Sequence, residues 1–318
     1  MSRRGWLLFS AMCVIWGIPY LLIKVAVADI DPWTLVLART ALGAALLLPL
    51  AAARGELHGL LRSWRPIVLF SAIEIMIPWL ALGFAEQKLS SSLTGLLLAA
   101  VPLVGALIAR LDVRKERIGR RQLIGLVAGF AGVAALVGLD VGVTDRLSVA
   151  LVGLVAVAYA IGPVILTRSL SHLPAMGVIT VALAAGALAF APVGIARAPR
   201  DLPPADALAA VAGLAVVCTA LAFVLFFQLI AEIGPVRATV ITYVNPAVAV
   251  LLGVGLLGET FTTATALGFA LILGGSVLAA RRTATSAVPA PRTATVEPEV
   301  AVRAVGADEH DECTSKRG

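Results

Sequence analysis

Long apolar runs separated by short polar connections make up most of this 318-residue chain. A helix that crosses the hydrocarbon core of a bilayer needs about 20 mainly apolar residues. Ten runs of roughly that length occur, at residues 6–27, 34–53, 66–85, 89–111, 122–139, 148–168, 175–196, 208–233, 238–257 and 264–280. The pattern therefore predicts an all-α membrane protein with ten transmembrane helices.

The last part of the chain has a different composition. From about residue 283 onwards, Pro, Thr, Ala and charged residues dominate, and the apolar periodicity is lost. Such a segment cannot bury enough apolar surface to offset the entropy lost on ordering. We predict that residues 283–318 form a disordered tail.

Composition and charge agree with a membrane protein. The chain is 60% hydrophobic and 14% charged, whereas soluble domains carry about 25% charged residues. The net charge of +6 lies mostly in short loops, so it reports membrane topology and not nucleic-acid binding. With the N-terminus in the cytoplasm, the inner segments hold fifteen Lys and Arg and the outer loops hold four. This bias predicts a multi-pass protein in the lipid bilayer of the inner or plasma membrane, with both termini and the tail cytoplasmic.

A block of one glutamate and two glycines occurs twice, about 143 residues apart. In each copy the glycines follow the glutamate by nine and sixteen residues, and a proline stands about one span upstream. The blocks consist of Pro102, Glu116, Gly125 and Gly132, and of Pro246, Glu259, Gly268 and Gly275. We expect structural roles for all eight: the prolines break helices, the glutamates cap helix N-termini, and the glycines allow close helix packing.

The loops beside the two glutamates carry opposite charge signals. The loop that contains Glu116 is strongly basic, whereas residues 258–264 beside Glu259 include no Lys or Arg. Because five helices per unit is an odd number, the second unit must be inverted relative to the first. The sequence therefore predicts two inverted five-helix repeats, at 6–140 and 146–282, an architecture common among secondary transporters.

Glu74 is the most informative single residue within the predicted spans. It lies about eight residues into the third run, which places it roughly 12 Å deep at 1.5 Å per residue. A charge near the midplane costs about 2.5–3.5 kcal/mol on insertion scales, so a residue there is a candidate for function. Glu74 is a candidate proton carrier, which would make protons the coupling ion. The alternative is a structural ion pair with Arg39 or Lys24.

Polar and aromatic residues beside helix prolines extend this hypothesis to a cavity. A proline frees the carbonyl four residues earlier, and free backbone at membrane depth is tolerated beside a watery cavity. Aromatic rings there could enclose an organic substrate, including a cation, although helix packing explains such residues equally well. The candidate substrate-binding or coupling residues are Glu74, Trp16, Tyr20, Lys24, Arg39, Trp79, Tyr159, Tyr243 and Asn245.

In the order of its elements the chain resembles the EamA-like transporters of the drug/metabolite transporter superfamily. The resemblance rests on Trp16-Gly17 followed by Lys24, Pro32 and Arg39, and on the twice-occurring Pro and Glu–Gly–Gly blocks. It covers about residues 6–282. The resemblance implies ten helices in two inverted repeats, and export or exchange of small metabolites, often amino acids, across the inner membrane.

We therefore expect a secondary transporter that exports amino acids or related small molecules by alternating access. Efflux of cationic drugs is the alternative, since Glu74 and Trp79 would suit a cation, but Lys24 and Arg39 favour zwitterions or anions. A membrane-embedded enzyme is disfavoured because the sequence has no His-Glu-x-x-His, Gly-x-Ser-x-Gly or Walker lysine motif. We expect no cofactor and no metal. Oligomerisation is not required, since both repeats lie in one chain.

Overall fold

The computed structural model describes residues 2–111, 120–139, 145–238 and 240–280. Regular structure in these ranges is helical throughout. The helices are α1 (Arg3–Ile15), α2 (Pro19–Ala26), α3 (Pro32–Ala53), α4 (Trp64–Ser71), α5 (Ile77–Glu86), α6 (Ser91–Leu98), α7 (Val101–Leu111), α8 (Arg120–Leu139), α9 (Arg146–Ser169), α10 (Ala175–Ala196), α11 (Ala205–Ala215), α12 (Ala222–Ile233), α13 (Pro235–Ala238), α14 (Ile241–Leu257) and α15 (Thr263–Ala280). A 3₁₀ turn at Leu60–Ser63 precedes α4, and π-helical turns at Ala72–Met76 and Val216–Leu221 join α4 to α5 and α11 to α12.

Eight helical segments of the described chain are long and apolar enough to cross a membrane. They are Arg3–Ala26, Pro32–Ala53, Leu60–Glu86, Ser91–Ile108, Arg120–Val137, Arg146–Ser169, Ala175–Ala196 and Ala205–Ile233. The last two predicted runs form shorter apolar helices, Ile241–Leu257 and Thr265–Ala279. The prediction of an all-α, multi-pass membrane protein is confirmed. The Glu116 loop and the predicted tail lie outside the described residues.

Proline and short polar side chains set where the spans begin and break. Asp31 caps α3 by accepting a hydrogen bond from the Trp33 backbone nitrogen at 3.0 Å, and a proline follows it at the first helical position. The break between α6 and α7 comes just before Pro102. Pro246, in contrast, lies inside α14, which continues through it although proline was expected to break the helix. A proline removes one helical hydrogen bond, and the rest of the turn can remain intact.

The main helix contacts join the first half of the chain to the second. The packed pairs are α3 with α10, α6 with α14, α8 with α15, α5 with α9, and α2 with α11. In three of these pairs, α3 with α10, α6 with α14 and α8 with α15, successive contacts run in opposite directions along the two helices. The two helices of each of these three pairs are therefore antiparallel. In α8 and α15, Gly125 faces Gly275 while Gly132 faces Gly268. The repeated glycines thus pack against each other.

Alanine at Gly275 is expected to lower the free energy of unfolding by about 1–3 kcal/mol, the usual cost of overpacking. An added methyl group there would lie 2.5 Å from the Gly125 carbonyl oxygen, and a backbone atom cannot move aside as a flexible side chain can. Gly274→Ala is the matched control, because a methyl group at Gly274 meets nothing within 4 Å. Thermal unfolding of the purified protein in one detergent measures both variants. Equal melting temperatures for the two would contradict the packing.

Candidate functional site

Glu74 lies in the π-helical turn between α4 and α5. Such a turn holds one extra residue, which re-aims the side chains around it, and π-bulges are frequent at functional sites. The Glu74 carboxyl lies directly against Gly162 of α9, a position where any side chain would collide with it. Its Oε2 atom is buried and accepts no hydrogen bond from the described residues. Glu74 is therefore held inside the helix bundle with unused hydrogen-bonding capacity.

Arg39 of α3 is bound at the second π-helical turn. Its Nε donates to Thr219 Oγ1 at 3.0 Å, and that hydroxyl donates in turn to the Leu214 carbonyl at 2.8 Å. The guanidinium lies 3.6 Å above the centre of the Trp79 ring, a cation–π contact. Arg39 is only 6% exposed. The π-helical turn that contains Thr219 lies in the span after α10, just as the π-helical turn that contains Glu74 lies in the span after α3.

Tyr159 of α9 lies close to both of these buried side chains, one helical turn before Gly162, which the Glu74 carboxyl contacts. The indole N–H of Trp79 donates to its hydroxyl, and the hydroxyl interacts electrostatically with both Glu74 and Arg39. Tyr20 belongs to the same group through its interaction with Tyr159. The structure therefore brings together five of the nine predicted functional residues. We call Glu74, Arg39, Trp79, Tyr159 and Tyr20 the central cluster.

The other four predicted residues occupy different places. Trp16 packs edge-on against Phe223 of α12, with ring centres 6.0 Å apart, and tilted against its neighbour Phe226. With its amide nitrogen facing α1, Asn245 donates to the Cys13 carbonyl at 3.2 Å and bridges α14 to α1. Tyr243 is half-buried on α14. The contacts of Trp16 and Asn245 each join two helices.

Lys24 binds the end of α5 and not the Glu74 carboxyl. Its Nζ donates to the backbone carbonyls of Glu86 at 2.7 Å and Leu89 at 2.8 Å. The last carbonyls of a helix have no partner within the helix, and a cation there interacts favourably with the helix dipole. Arg39 is likewise occupied by Thr219 and Trp79. The contacts of Lys24 and Arg39 thus go to other groups, and they do not include the structural ion pair with Glu74 that was the alternative.

Glu259 caps a helix of the other half. Its carboxylate accepts hydrogen bonds from Ser91 N at 2.7 Å, Ser91 Oγ at 3.0 Å and Ser92 N at 2.9 Å. It was expected to cap the helix that follows it, but the free N–H groups that it satisfies are those of α6. Partial burial by itself would raise the pKa of Glu259, and the hydrogen bonds from Ser92 and Ser91 outweigh it, so the pKa lies below its usual value. The cap is thus an ionised carboxylate at neutral pH.

Sequence reasoning missed Glu86 and Thr219. Glu86 is the last residue of α5 and is fully buried, but it directly follows an apolar run and was therefore placed in a loop. Thr219 is an uncharged residue in the middle of the apolar run 208–233, whose one charged residue, Glu232, lies near the far end. Its position about 145 residues after Glu74, close to the repeat spacing, is the one signal that could have found it.

A multi-pass helical bundle with charged side chains buried between its helices is characteristic of membrane transporters. The chain belongs to the EamA-like transporter family, whose sequence profile matches residues 3–138 and 146–281. The resemblance drawn from the sequence is thereby confirmed. The family indicates a membrane transporter and not an enzyme.

Relatives and a solved structure agree with this assignment. The uncharacterized inner membrane transporter YedA of Escherichia coli strain K12 is 28% identical over 273 residues, which cover 84% of this chain and 88% of YedA. Protein PecM of Dickeya dadantii strain 3937 is 26% identical over 219 residues, 68% of this chain and 73% of PecM. A crystal structure with 23% identity matches 87% of this chain and 98% of its own chain with a TM-score of 0.63, which shows a shared fold.

Proposed function

We propose that this chain is a secondary transporter that exports amino acids or related zwitterionic metabolites across the inner membrane by alternating access. The observation that carries the proposal is the buried carboxyl of Glu74 and the buried guanidinium of Arg39, both close to Tyr159. A buried charge is costly unless it is paired. A zwitterion would pair with both at once, its ammonium group at Glu74 and its carboxylate at Arg39.

The charge arrangement favours a zwitterion over a cationic drug. An organic cation would need the carboxyl of Glu74 together with an aromatic face. The face of Trp79 is already covered by the Arg39 guanidinium at 3.6 Å, which would also repel a second cation. Efflux of cations is the second candidate, supported by the aromatic side chain of Tyr159 near Glu74.

The packing of the helices supports alternating access by two inverted five-helix units. Equivalent helices of the proposed units, at 6–140 and 146–282, pack as antiparallel pairs: α3 with α10, α6 with α14, and α8 with α15. The contact of the α4–α5 span with α9 corresponds to that of the α11–α12 span with the α1–α2 span. Such a two-fold arrangement allows one unit to rock against the other around a central site. In this proposal the chain crosses the membrane ten times with both termini cytoplasmic.

The proposal is tested by comparing the small molecules that cells export. Mass spectrometry of the medium is expected to show amino acids or related zwitterions enriched when the protein is overproduced and depleted when its gene is deleted. A strain that overproduces an unrelated membrane protein to the same level controls for membrane load. If the resistance of the cells to toxic cations changes and no exported metabolite does, the zwitterion proposal fails and the cation alternative takes its place.

A further inference from the structure

A second buried carboxyl group lies outside the central cluster. Glu86 is 0% exposed at the end of α5. It follows Glu74 by twelve residues, about 18 Å along a helix at 1.5 Å per residue. Neither of its oxygens meets the geometry of a hydrogen bond to the described residues, and Lys24 acts on the carboxyl through its charge and its backbone N–H. Buried carboxyl groups are normally hydrogen-bonded or paired, so this one has capacity for a ligand.

The charged and titratable groups around Glu86 are occupied by other partners. Lys24, Glu259 and Arg39 interact electrostatically with it, and it acts in turn on Tyr20. The Lys24 ammonium is bound to two backbone carbonyls, and the Glu259 carboxylate is bound to α6. The Arg39 guanidinium lies on the Trp79 ring. None of these contacts neutralises the Glu86 carboxyl directly. A small cation bound to the carboxyl would neutralise it.

Two polar contacts close the protein around Glu86. Lys24 fixes the end of α2 to the turn between α5 and α6. Glu259 fixes the connection between α14 and α15 to the N-terminus of α6. The Lys24 contact lies within the first half, whereas the Glu259 contact joins the second half to the first and would have to break if the two halves moved apart at this end. Opening this end would therefore expose Glu86 to water.

We propose that Glu86 binds the coupling cation of this transporter, a proton or a sodium ion, and that the cation exchanges with solvent only when the Glu259 cap leaves α6. The proposal rests on the proposed transport function, because a coupling cation has meaning only for a secondary transporter. It assigns the cation to Glu86 and leaves Glu74 for the substrate. A carboxyl oxygen is a natural ligand for either cation, and neither Glu86 oxygen has to leave a hydrogen-bond partner to bind it.

The test is the thermal stability of the full-length protein in lipid nanodiscs, measured in two series. In the first, sodium chloride replaces choline chloride at constant ionic strength, and in the second the pH is varied without sodium. A ligand that binds the folded state raises the melting temperature. For a sodium site, the wild-type melting temperature rises with sodium. For a proton site, the wild-type melting temperature falls relative to that of Glu86→Gln as the pH rises.

Glu86→Gln is expected to lose the response, and Glu232→Gln, which removes an exposed carboxylate, to keep it. The result that overturns the proposal is an equal response of the wild type and Glu86→Gln in both series. If Glu86→Gln does not fold, Glu86→Asp keeps the carboxyl group and is expected to show a cation response shifted to higher cation concentration. An unshifted response in Glu86→Asp then overturns the proposal. The measurement uses no transported substrate, so failure of the amino-acid proposal in the export experiment is a separate outcome.

Discussion

Export of zwitterionic metabolites is expected to fall about 10- to 100-fold when Glu74 is replaced by glutamine. A hydrogen bond to a charged group contributes about 1.5–3 kcal/mol, and each 1.4 kcal/mol corresponds to a factor of ten. Glutamine keeps the size of the side chain that contacts Gly162, so the fold is expected to remain intact. The measurement is the initial rate of export from cells with matched amounts of protein, over a pH series.

Glu232→Gln is the matched control for this prediction. Glu232 is an exposed carboxylate near the end of α12, where it accepts a hydrogen bond from the Ser2 hydroxyl. Export by this variant is expected to stay close to that of the wild type. An unchanged rate and an unchanged pH dependence in Glu74→Gln would remove Glu74 from both substrate binding and proton transfer.

Replacing Arg39 by glutamine is expected to exchange one substrate class for another. Export of zwitterions falls by a similar factor of about 10 to 100, because the group proposed to bind the substrate carboxylate is lost. The substitution also uncovers the face of Trp79, which becomes available to an organic cation beside Glu74. Transport of a lipophilic cation such as tetraphenylphosphonium is therefore expected to rise in Arg39→Gln.

Arg197→Gln controls for the loss of one positive charge. Arg197 lies in a loop, its side chain is 55% exposed, and it pairs with Asp31 at 3.4 Å. Exposed ion pairs contribute little to stability, so export by this variant is expected to be unchanged. Equal effects of the two arginine substitutions would show that net charge, and not the central cluster, determines transport. A fall in the transport of both substrate classes in Arg39→Gln would show that Arg39 supports the fold and does not select the substrate.

The sequence was sufficient for the class of fold because span length and loop charge depend on local composition. The apolar runs located the eight segments of spanning length, and the Glu–Gly–Gly spacing located the glycines that pack α8 against α15. Glu74 was identified because a single carboxyl within an apolar run is conspicuous. α14 begins at Ile241, three residues after the start of the predicted run at 238–257, since an apolar run does not show where the first helical turn begins.

The composition of the site depended on contacts that local sequence does not contain. Lys24 and Arg39 were equally plausible partners for Glu74, and only the packing of α2 and α3 assigns one to carbonyls and the other to Trp79. Glu259 caps a helix about 167 residues earlier in the chain, a partner that no spacing rule identifies. Glu86 looked like a loop residue because burial at the end of a helix comes from the elements packed over it.

Zwitterion transport is proposed to depend on one buried site that holds both charge signs. The most direct measurement is uptake of labelled amino acids into proteoliposomes that contain the purified full-length protein and an internal pool of the same amino acids. Saturable exchange is expected, and other zwitterions are expected to compete with the labelled amino acid. Tetraphenylphosphonium is expected not to inhibit the exchange, and the Glu74→Gln variant is expected to lose it. Exchange of tetraphenylphosphonium with no exchange of any amino acid or related zwitterion would contradict this proposal.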